Sequence, residues 1–183
     1  GNHGCCMGAR AKSAFMSRKV VNNSLRDLSA REVIDVLGLE YLEGEGVWIK
    51  LLWRTPEANA IYALLTEADF SALHQLHELE SWVHIAGAPI DMTILNADHT
   101  VNNHVLGQEV GEGQEPQQVV PKDAWQGSTS RGKWSLVACV LAPPFSGFTL
   151  ARPESNFTPW LDSCDGEVAR TRLQERIKEL TRE

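Results

Sequence analysis

The sequence lacks the features that would place it in several specialised classes. None of its apolar runs reaches the roughly 18 residues that a membrane-spanning helix requires, so we expect no membrane partner. Basic residues are outnumbered, 17 against 24 acidic ones, and the net charge is −7. Because duplex binding depends on basic side chains that neutralise phosphates, we expect no nucleic-acid partner either. The N-terminal residues contain no continuous apolar stretch and predict no secretory signal.

Cysteine is also scarce, with four residues at positions 5, 6, 139 and 164. A disulfide between the adjacent residues Cys5 and Cys6 would not cross-link distant parts of a fold. No pair of cysteines has the C-x-x-C spacing of a zinc site. Cys139 lies in an apolar run and is expected to be a small core residue. This usage is typical of a reducing compartment, so we expect a cytoplasmic protein.

What remains is the composition of an ordinary globular protein of 183 residues, with 43% hydrophobic and 22% charged residues. The length suits one domain with a sizeable core. Residues 1–23 show no periodicity and are predicted to form a flexible tail. We expect the folded domain to span 24–157 and a C-terminal helical extension to span 158–183.

Two helices are predicted, one on each side of the main domain. Ser29 and Glu32 have the spacing of a capping box, and Gly38 can end a helix that begins there. The second helix is expected within 165–183, where Asp165 can serve as the cap. Its apolar residues recur at roughly helical spacing: Val168, Leu173, Ile177 and Leu180.

Between the helices, from Val47 onwards, the chain consists of short apolar or alternating runs. Gly, Pro, Asn or Asp separate most of them, and no helical stretch intervenes. This pattern predicts an all-β fold, an antiparallel sandwich or barrel, with short flanking N- and C-terminal helices.

Three polar residues within these runs are candidates for chemistry. His74 lies in a strand-like run on the same face as Ala72, and it is either a hydrogen-bonded core histidine or a site residue. Glu80 opens the next run, and Gln126 follows a Pro-x-Asp turn. Trp48, Trp82 and Trp125 are expected to be core residues or to form a stacking surface.

Taken together, these residues resemble the two motifs of the cupin superfamily. The stretch from Glu80 to Gly87 matches the Glu-x(6)-Gly half of the first motif, and His74 stands at its second histidine. Ala72 takes the place of the first histidine, and Gln126 takes that of the second motif's histidine. The resemblance covers roughly residues 30–151.

Within the superfamily, the chain resembles an uncharacterised branch of unknown function. The shared segments occur in order: residues 59–65, 71–74, 87–89, 116–121 and 135–145. The resemblance implies a double-stranded β-helix, the cupin jelly roll, related in fold to dTDP-sugar 3,5-epimerases and germins, and usually a homodimer. The strand from Val47 to Arg54 is apolar on both faces, which also favours a dimer.

The resemblance also implies a site inside the barrel, with three possible functions. In the first, His74 and Glu80 are catalytic in an epimerase- or isomerase-like enzyme acting on a sugar-like or other small polar molecule. The expected pocket residues are Trp48, Tyr62, Trp82, His84, Trp125 and Gln126. In the second, a metal-dependent oxygenase, His74, Glu80 and Gln126 would bind a divalent metal. The third is a non-catalytic ligand-binding or interaction module.

The expected geometry of the site follows from strand order. We expect Glu80 to lie beside His74 on the neighbouring strand after a short turn. Gln126 is expected to enter from the opposite side, because the two cupin motifs face each other.

Overall fold

The computed structural model describes residues 24–183, so the predicted flexible tail, 1–23, lies outside the described residues. In this range three α-helices, two short 3₁₀ helices (Leu25–Asp27 and Val110–Glu112) and eleven strands occur. The helices are α1 (Ala30–Leu37), α2 (Thr158–Asp162) and α3 (Glu167–Glu179). The strands are β1 (Glu40–Tyr41), β2 (Trp48–Arg54), β3 (Asn59–Thr66), β4 (Ser71–Gln75), β5 (Leu79–Gly87), β6 (Ile90–Leu95), β7 (Val101–Leu106), β8 (Gln117–Val120), β9 (Trp125–Ser130), β10 (Trp134–Ala142) and β11 (Thr149–Leu150).

The strands form two antiparallel sheets. One has the order β1-β2-β3-β10-β5-β8, and the other has the order β11-β4-β9-β6-β7. The main core cluster draws Ala63 and Val137 from the first sheet and Ile90, Met92 and Ile94 from the second, so the two sheets enclose it. The predicted all-β double-stranded β-helix with flanking helices is therefore confirmed.

Helix α1 begins and ends at the residues that the sequence predicts. The Ser29 side chain accepts a hydrogen bond from the Glu32 backbone N–H, and the Glu32 side chain accepts one from the Ser29 backbone N–H. Gly38 closes the helix in the left-handed conformation that glycine adopts without steric cost. The apolar side of α1 packs on the outer face of the six-stranded sheet, where Val33 and Leu64 share one cluster.

The C-terminal helix differs from the prediction in its cap and in one apolar position. Gly166, not Asp165, is the residue that precedes the first turn of α3, and no side chain caps it. Leu173 and Leu180 pack with Leu73 on the outer face of the five-stranded sheet, whereas Val168 is 68% exposed. Helix α3 therefore covers this sheet with a narrower apolar stripe than its sequence indicates.

Within residues 24–183, no helix is both long and apolar enough to cross a membrane.

Candidate functional site

A cavity of about 230 Å³ lies between the sheets, on the side where β2 and β3 meet the loop that follows β10. Most of its lining is apolar, including Trp82, Phe145 and Phe148. The polar residues of the lining are Glu45, Arg54, Asn59, His74 and Glu80. The cavity thus has an apolar wall with a few polar groups, an arrangement typical of small-molecule sites.

His74 reaches the cavity because side chains alternate along β4. Leu73 packs on the outside of the sheet against Leu180, so its neighbour His74 points inward and is only 2% exposed. The ring nitrogen Nδ1 lies 2.6 Å from the carbonyl oxygen of Ala72. A carbonyl oxygen only accepts, so Nδ1 carries a hydrogen. The other nitrogen, Nε2, lies 3.7 Å from Oε1 of Glu45.

Glu80 faces the cavity from β5, a strand of the other sheet. Its Oε1 accepts hydrogen bonds from Nε1 of Trp82 at 2.8 Å and from Nε2 of Gln126 at 3.0 Å. Burial raises the pKa of Glu80 from 4.5 to about 7, and the nearby charge of Glu45 contributes to the increase. A carboxyl group with this pKa can both donate and accept a proton near neutral pH.

Glu45 is a polar cavity residue that the sequence patterns did not indicate. It lies between β1 and β2 in a turn where Gly44 and Gly46 have φ values of +90° and +89°, which glycine alone adopts readily. Its Oε1 accepts a hydrogen bond from Oγ of Ser71 at 2.7 Å, and its carbonyl accepts one from the Ala72 backbone N–H. The signal in the sequence is this acidic residue between two glycines just before β2.

The structure brings His74, Glu80 and Gln126 together, but in a different arrangement from the predicted one. Gln126 is directly opposite His74 in the β4–β9 pair, so it is a neighbour within one sheet. Glu80 is on the facing sheet, since β4 and β5 belong to different sheets. The predicted positions of Glu80 and Gln126 are therefore exchanged. Gln126 does not line the cavity and instead holds Glu80 by its amide.

Of the three tryptophans predicted to line the pocket, Trp82 does so. Trp48 and Tyr62, which were also predicted there, lie on the outside of the six-stranded sheet. Trp48 and Tyr62 pack in the cluster beneath α1, and Nε1 of Trp48 donates to Asp69. Each is adjacent to an inward-facing residue, and the period-two alternation of a strand turns it outward. Their assignment to the pocket was wrong for this reason.

Trp125 and His84 also lie away from the cavity. Trp125 points outward from β9 and packs edge-on against Phe157, with ring centroids 5.2 Å apart. His84 is buried farther along β5, where Nε2 lies 2.9 Å from the carbonyl oxygen of Ala88 and Nδ1 lies 3.2 Å from Nε2 of Gln108. Neither side chain can contact a molecule in the cavity, so these two assignments were also wrong.

The side chains around His74 do not fit a divalent metal. Within residues 24–183, no group of three or more His, Cys, Asp or Glu side chains is arranged to hold a metal ion. First-row metals favour several imidazole or carboxylate ligands, but Ala72 and Gln126 occupy two of the expected histidine positions. In addition, Oε1 of Glu80 already accepts two N–H groups.

Comparison with known proteins points to one family. The model of a family described as "Cupin superfamily (DUF985)" matches residues 31–151. A solved structure of a protein from Shewanella oneidensis is 24% identical with a TM-score of 0.73, covering 85% of this chain and 98% of that one. A hypothetical protein from Leishmania major is 21% identical with a TM-score of 0.69, covering 85% of this chain and all of that one. No curated protein matches the chain. The two solved structures support the fold alone.

Proposed function

Since this chain belongs to the cupin superfamily, in the family DUF985, we propose that its cavity binds a small molecule and that His74 and Glu80 transfer protons to and from it. The observation that carries the proposal is the pairing of two titratable side chains across one cavity. His74 comes from one sheet and Glu80 from the other, and the pKa of Glu80 is raised to about 7. Perturbed acids in a cavity are typical of catalytic sites.

The lining restricts the substrate. A cavity of about 230 Å³ lies below the roughly 300–1,000 Å³ usual for ligand sites, so it admits only a small molecule. Apolar side chains such as Ile61, Leu141 and Phe148 form most of its wall. A sugar has a hydroxyl on nearly every carbon, and against this wall several of its hydroxyls would find no hydrogen-bond partner. The lining therefore favours a small molecule with an apolar body and one carbonyl or hydroxyl group.

Proton transfer at a carbon beside a carbonyl is the reaction that suits these groups. His74, with Nδ1 fixed by the Ala72 carbonyl, presents Nε2 as the base that removes the C–H proton. Protonated Glu80 donates its proton to the carbonyl oxygen, giving an enol and a Glu80 carboxylate. The carboxylate of Glu45 stabilises the imidazolium that forms. The Glu80 carboxylate takes back the enol O–H proton as the carbonyl re-forms, and the His74 imidazolium returns a proton to the same carbon. Return to the original face gives exchange alone, and return to the opposite face, after the enol turns over in the cavity, gives an epimerisation.

Deuterium exchange tests this reaction even though the substrate is unidentified. The protein is incubated in D₂O with a panel of small oxo acids and ketones, and mass spectrometry measures deuterium at the carbon beside the carbonyl. We expect exchange with the wild type and at least a hundredfold slower exchange with His74→Gln or Glu80→Gln. His104→Gln is the matched control, because His104 is half-buried beside Glu115 and does not line the cavity.

A second candidate function, a non-catalytic binding module, is favoured by the replacement of two motif histidines, at Ala72 and Gln126. In that case, molecules from the panel bind in the cavity, and binding changes in His74→Gln, but no deuterium is incorporated. Exchange that is equally fast in the wild type, in His74→Gln and in His104→Gln would rule out the catalytic proposal.

We also propose that two copies of the chain pair along β2. Strand β1 pairs only with Trp48 and Ile49, so the remainder of β2 has no partner on that side among residues 24–183. Leu52 and Trp53 of this segment are exposed. Unpaired apolar edges favour pairing with another strand, and a second copy supplies an identical one. Light scattering should give twice the monomer mass of 20.3 kDa, and Trp53→Lys should lower it. A wild-type mass of one chain would contradict the proposal.

A cytoplasmic location is part of the same proposal. It is supported by the cysteine usage, and fluorescence microscopy of the tagged full-length protein tests it.

A further inference from the structure

We infer that the cavity selects small organic acids and that Arg54 at its mouth binds their carboxylate. The inference rests on the proposed function for the cavity itself and adds the chemical class and orientation of the molecule it takes. Its evidence is the juxtaposition of one cation at the mouth, an apolar aromatic wall, and acidic groups inside.

Among residues 24–183, Arg54 is the only Lys or Arg that lines the cavity. It lies at the end of β2, is exposed, and donates from Nη1 to the carbonyl oxygen of Phe145 at 3.0 Å. Within the described residues, no carboxylate lies within 4.0 Å of its guanidinium, and this is its one hydrogen bond. A guanidinium has five N–H donors in a planar fork that matches a carboxylate, so donors remain for a ligand.

The loop that carries Phe145 is held firmly in place beside Arg54. The backbone N–H of Phe145 donates to Oδ1 of Asn59 at 2.6 Å, and the backbone N–H of Ser146 donates to Oε1 of Glu78 at 3.0 Å. Asn59 and Glu78 are each 2% exposed. Two buried polar side chains therefore fix the loop, and the loop in turn fixes the Arg54 fork at the mouth.

A row of aromatic rings leads inward from Arg54 to His74. The centroids of Phe145 and Phe148 are 6.1 Å apart, and those of Phe148 and His74 are also 6.1 Å apart. These separations are within the range of aromatic contact, so the wall is continuous and apolar. A ligand that reaches from Arg54 to His74 needs an apolar body of several carbon atoms.

The charge inside the cavity determines the orientation in which such a ligand binds. The Glu45 carboxylate lies in the inner part beside His74, where burial strengthens its repulsion of a second anion. The carboxylate of an organic acid is therefore stabilised at Arg54 and destabilised beside Glu45. The acid binds with its charged end at the mouth and its opposite end at the proton-transfer groups.

A charge series of one apolar body tests the inference. Calorimetry measures the binding of hexanoate, 1-hexanol and hexylamine to the wild type, Arg54→Gln and Lys50→Gln. Lys50 is the control, because it lies on the same strand and carries the same charge, but does not line the cavity. We expect hexanoate to bind the wild type at least tenfold more tightly than the other two. Arg54→Gln should lose that factor for hexanoate, while its affinity for 1-hexanol and the affinities of Lys50→Gln change less than twofold.

Three results would overturn the inference: no hexanoate binding to the wild type, tighter binding of hexylamine than of hexanoate, or equal loss in Arg54→Gln and Lys50→Gln. Unchanged 1-hexanol binding shows that the cavity of Arg54→Gln is intact. The measurement requires no proton transfer. If deuterium exchange fails while the Arg54 effect holds, the catalytic proposal is wrong and the carboxylate site stands. If exchange occurs but Arg54→Gln binds hexanoate as tightly as the wild type, the carboxylate site is wrong and the catalytic proposal stands.

Discussion

The surroundings of two buried histidines, His74 and His84, differ in one respect that decides what each ring can do. Both are nearly inaccessible, at 2% and 7% exposed, and each has one ring nitrogen on a backbone carbonyl. The second nitrogen of His84 accepts from the neutral amide of Gln108, so the ring is satisfied as a neutral donor and acceptor. The second nitrogen of His74 faces the Glu45 carboxylate in a cavity.

Burial alone therefore does not distinguish a histidine that faces a cavity from one whose two ring nitrogens are both hydrogen-bonded. The ring of His84 has the Ala88 carbonyl and the neutral Gln108 amide as its partners and does not line the cavity. His74 instead has the Glu45 carboxylate beside it, which would stabilise a charged ring, and the adjoining cavity leaves room for another molecule. Four substitutions test this difference, and their expected effects on stability decrease from Gly87→Ala to Gln108→Leu.

The largest effect is expected for Gly87→Ala, near His84. Gly87 has a φ of +83°, and an added Cβ would lie 2.5 Å from the carbonyl oxygen of Trp134. The strained backbone and the clash should lower the free energy of unfolding by about 4 kcal/mol. Denaturant titration measures it, with Gly111→Ala as the control, since nothing lies within 4 Å of its added Cβ. At temperatures where Gly87→Ala stays folded, hexanoate binding should be unchanged. Altered binding would show that the two regions are coupled.

Glu80→Gln should change how stability depends on pH. Between pH 4.5 and about 7, folded Glu80 holds a proton that the unfolded chain releases, so wild-type stability falls as the pH rises through this window. The total loss is about 3 kcal/mol, from 1.36 kcal/mol per pKa unit. Glutamine stays neutral and keeps its oxygen for Trp82 and Gln126. The variant should therefore match the wild type near pH 4.5 and exceed its stability above pH 7.

Thermal or denaturant unfolding at several pH values measures this difference. Glu115→Gln, a half-exposed carboxylate outside the cavity, is the control and should run parallel to the wild type. Parallel curves for the wild type and Glu80→Gln would show that the pKa of Glu80 is not raised.

His84→Leu should destabilise the fold without affecting the cavity. The substitution leaves the Ala88 carbonyl and the Gln108 amide without their ring partner, at an expected cost of about 2 kcal/mol. Binding of hexanoate should stay within twofold of the wild type, whereas His74→Leu should alter it. Equal effects of the two variants on binding would remove the distinction between the histidines.

The smallest effect is expected for Gln108→Leu, which removes one donor to His84 and another to the carbonyl oxygen of Ile85. Because the Gln108 side chain is near solvent, water can replace part of these bonds, and the loss should be about 1 kcal/mol. Urea titration measures it. A loss as large as that of His84→Leu would mean that the amide, not the ring, holds this region together.

Several features of the fold could be predicted because their causes are local. The bounds of α1 depend on Ser29, Glu32 and Gly38, which interact within one or two turns of a helix. Alternation along β4 places His74 on one face and Leu73 on the other, whatever the rest of the chain does. Asp165 is not the cap, because Gly166, with a φ of +88°, occupies the position before the first turn of α3.

The site was less predictable, because sequence patterns show which residues share a face but not which face is the inner one. Trp48 and Tyr62 each lie next to an inward-facing residue, and the helix that covers them comes from another part of the chain. Glu45 gives no alternation signal at all, since it lies in a turn. Its role depends on Ser71 and His74, which are 26 and 29 positions away in the sequence.

The short strands, the capped helix and the candidate pair His74 and Glu80 could be predicted in advance, because they follow from periodicity, from capping and from the ordered motifs of the family resemblance. The pairing of the strands in space places Glu80 opposite His74, on the facing sheet, and Gln126 beside it. It also places Glu45 and Arg54 in the same cavity. These positions could not be predicted because sheet pairing joins segments that are distant in the chain. The pKa of Glu80 is raised only when that pairing buries Glu80 near Glu45.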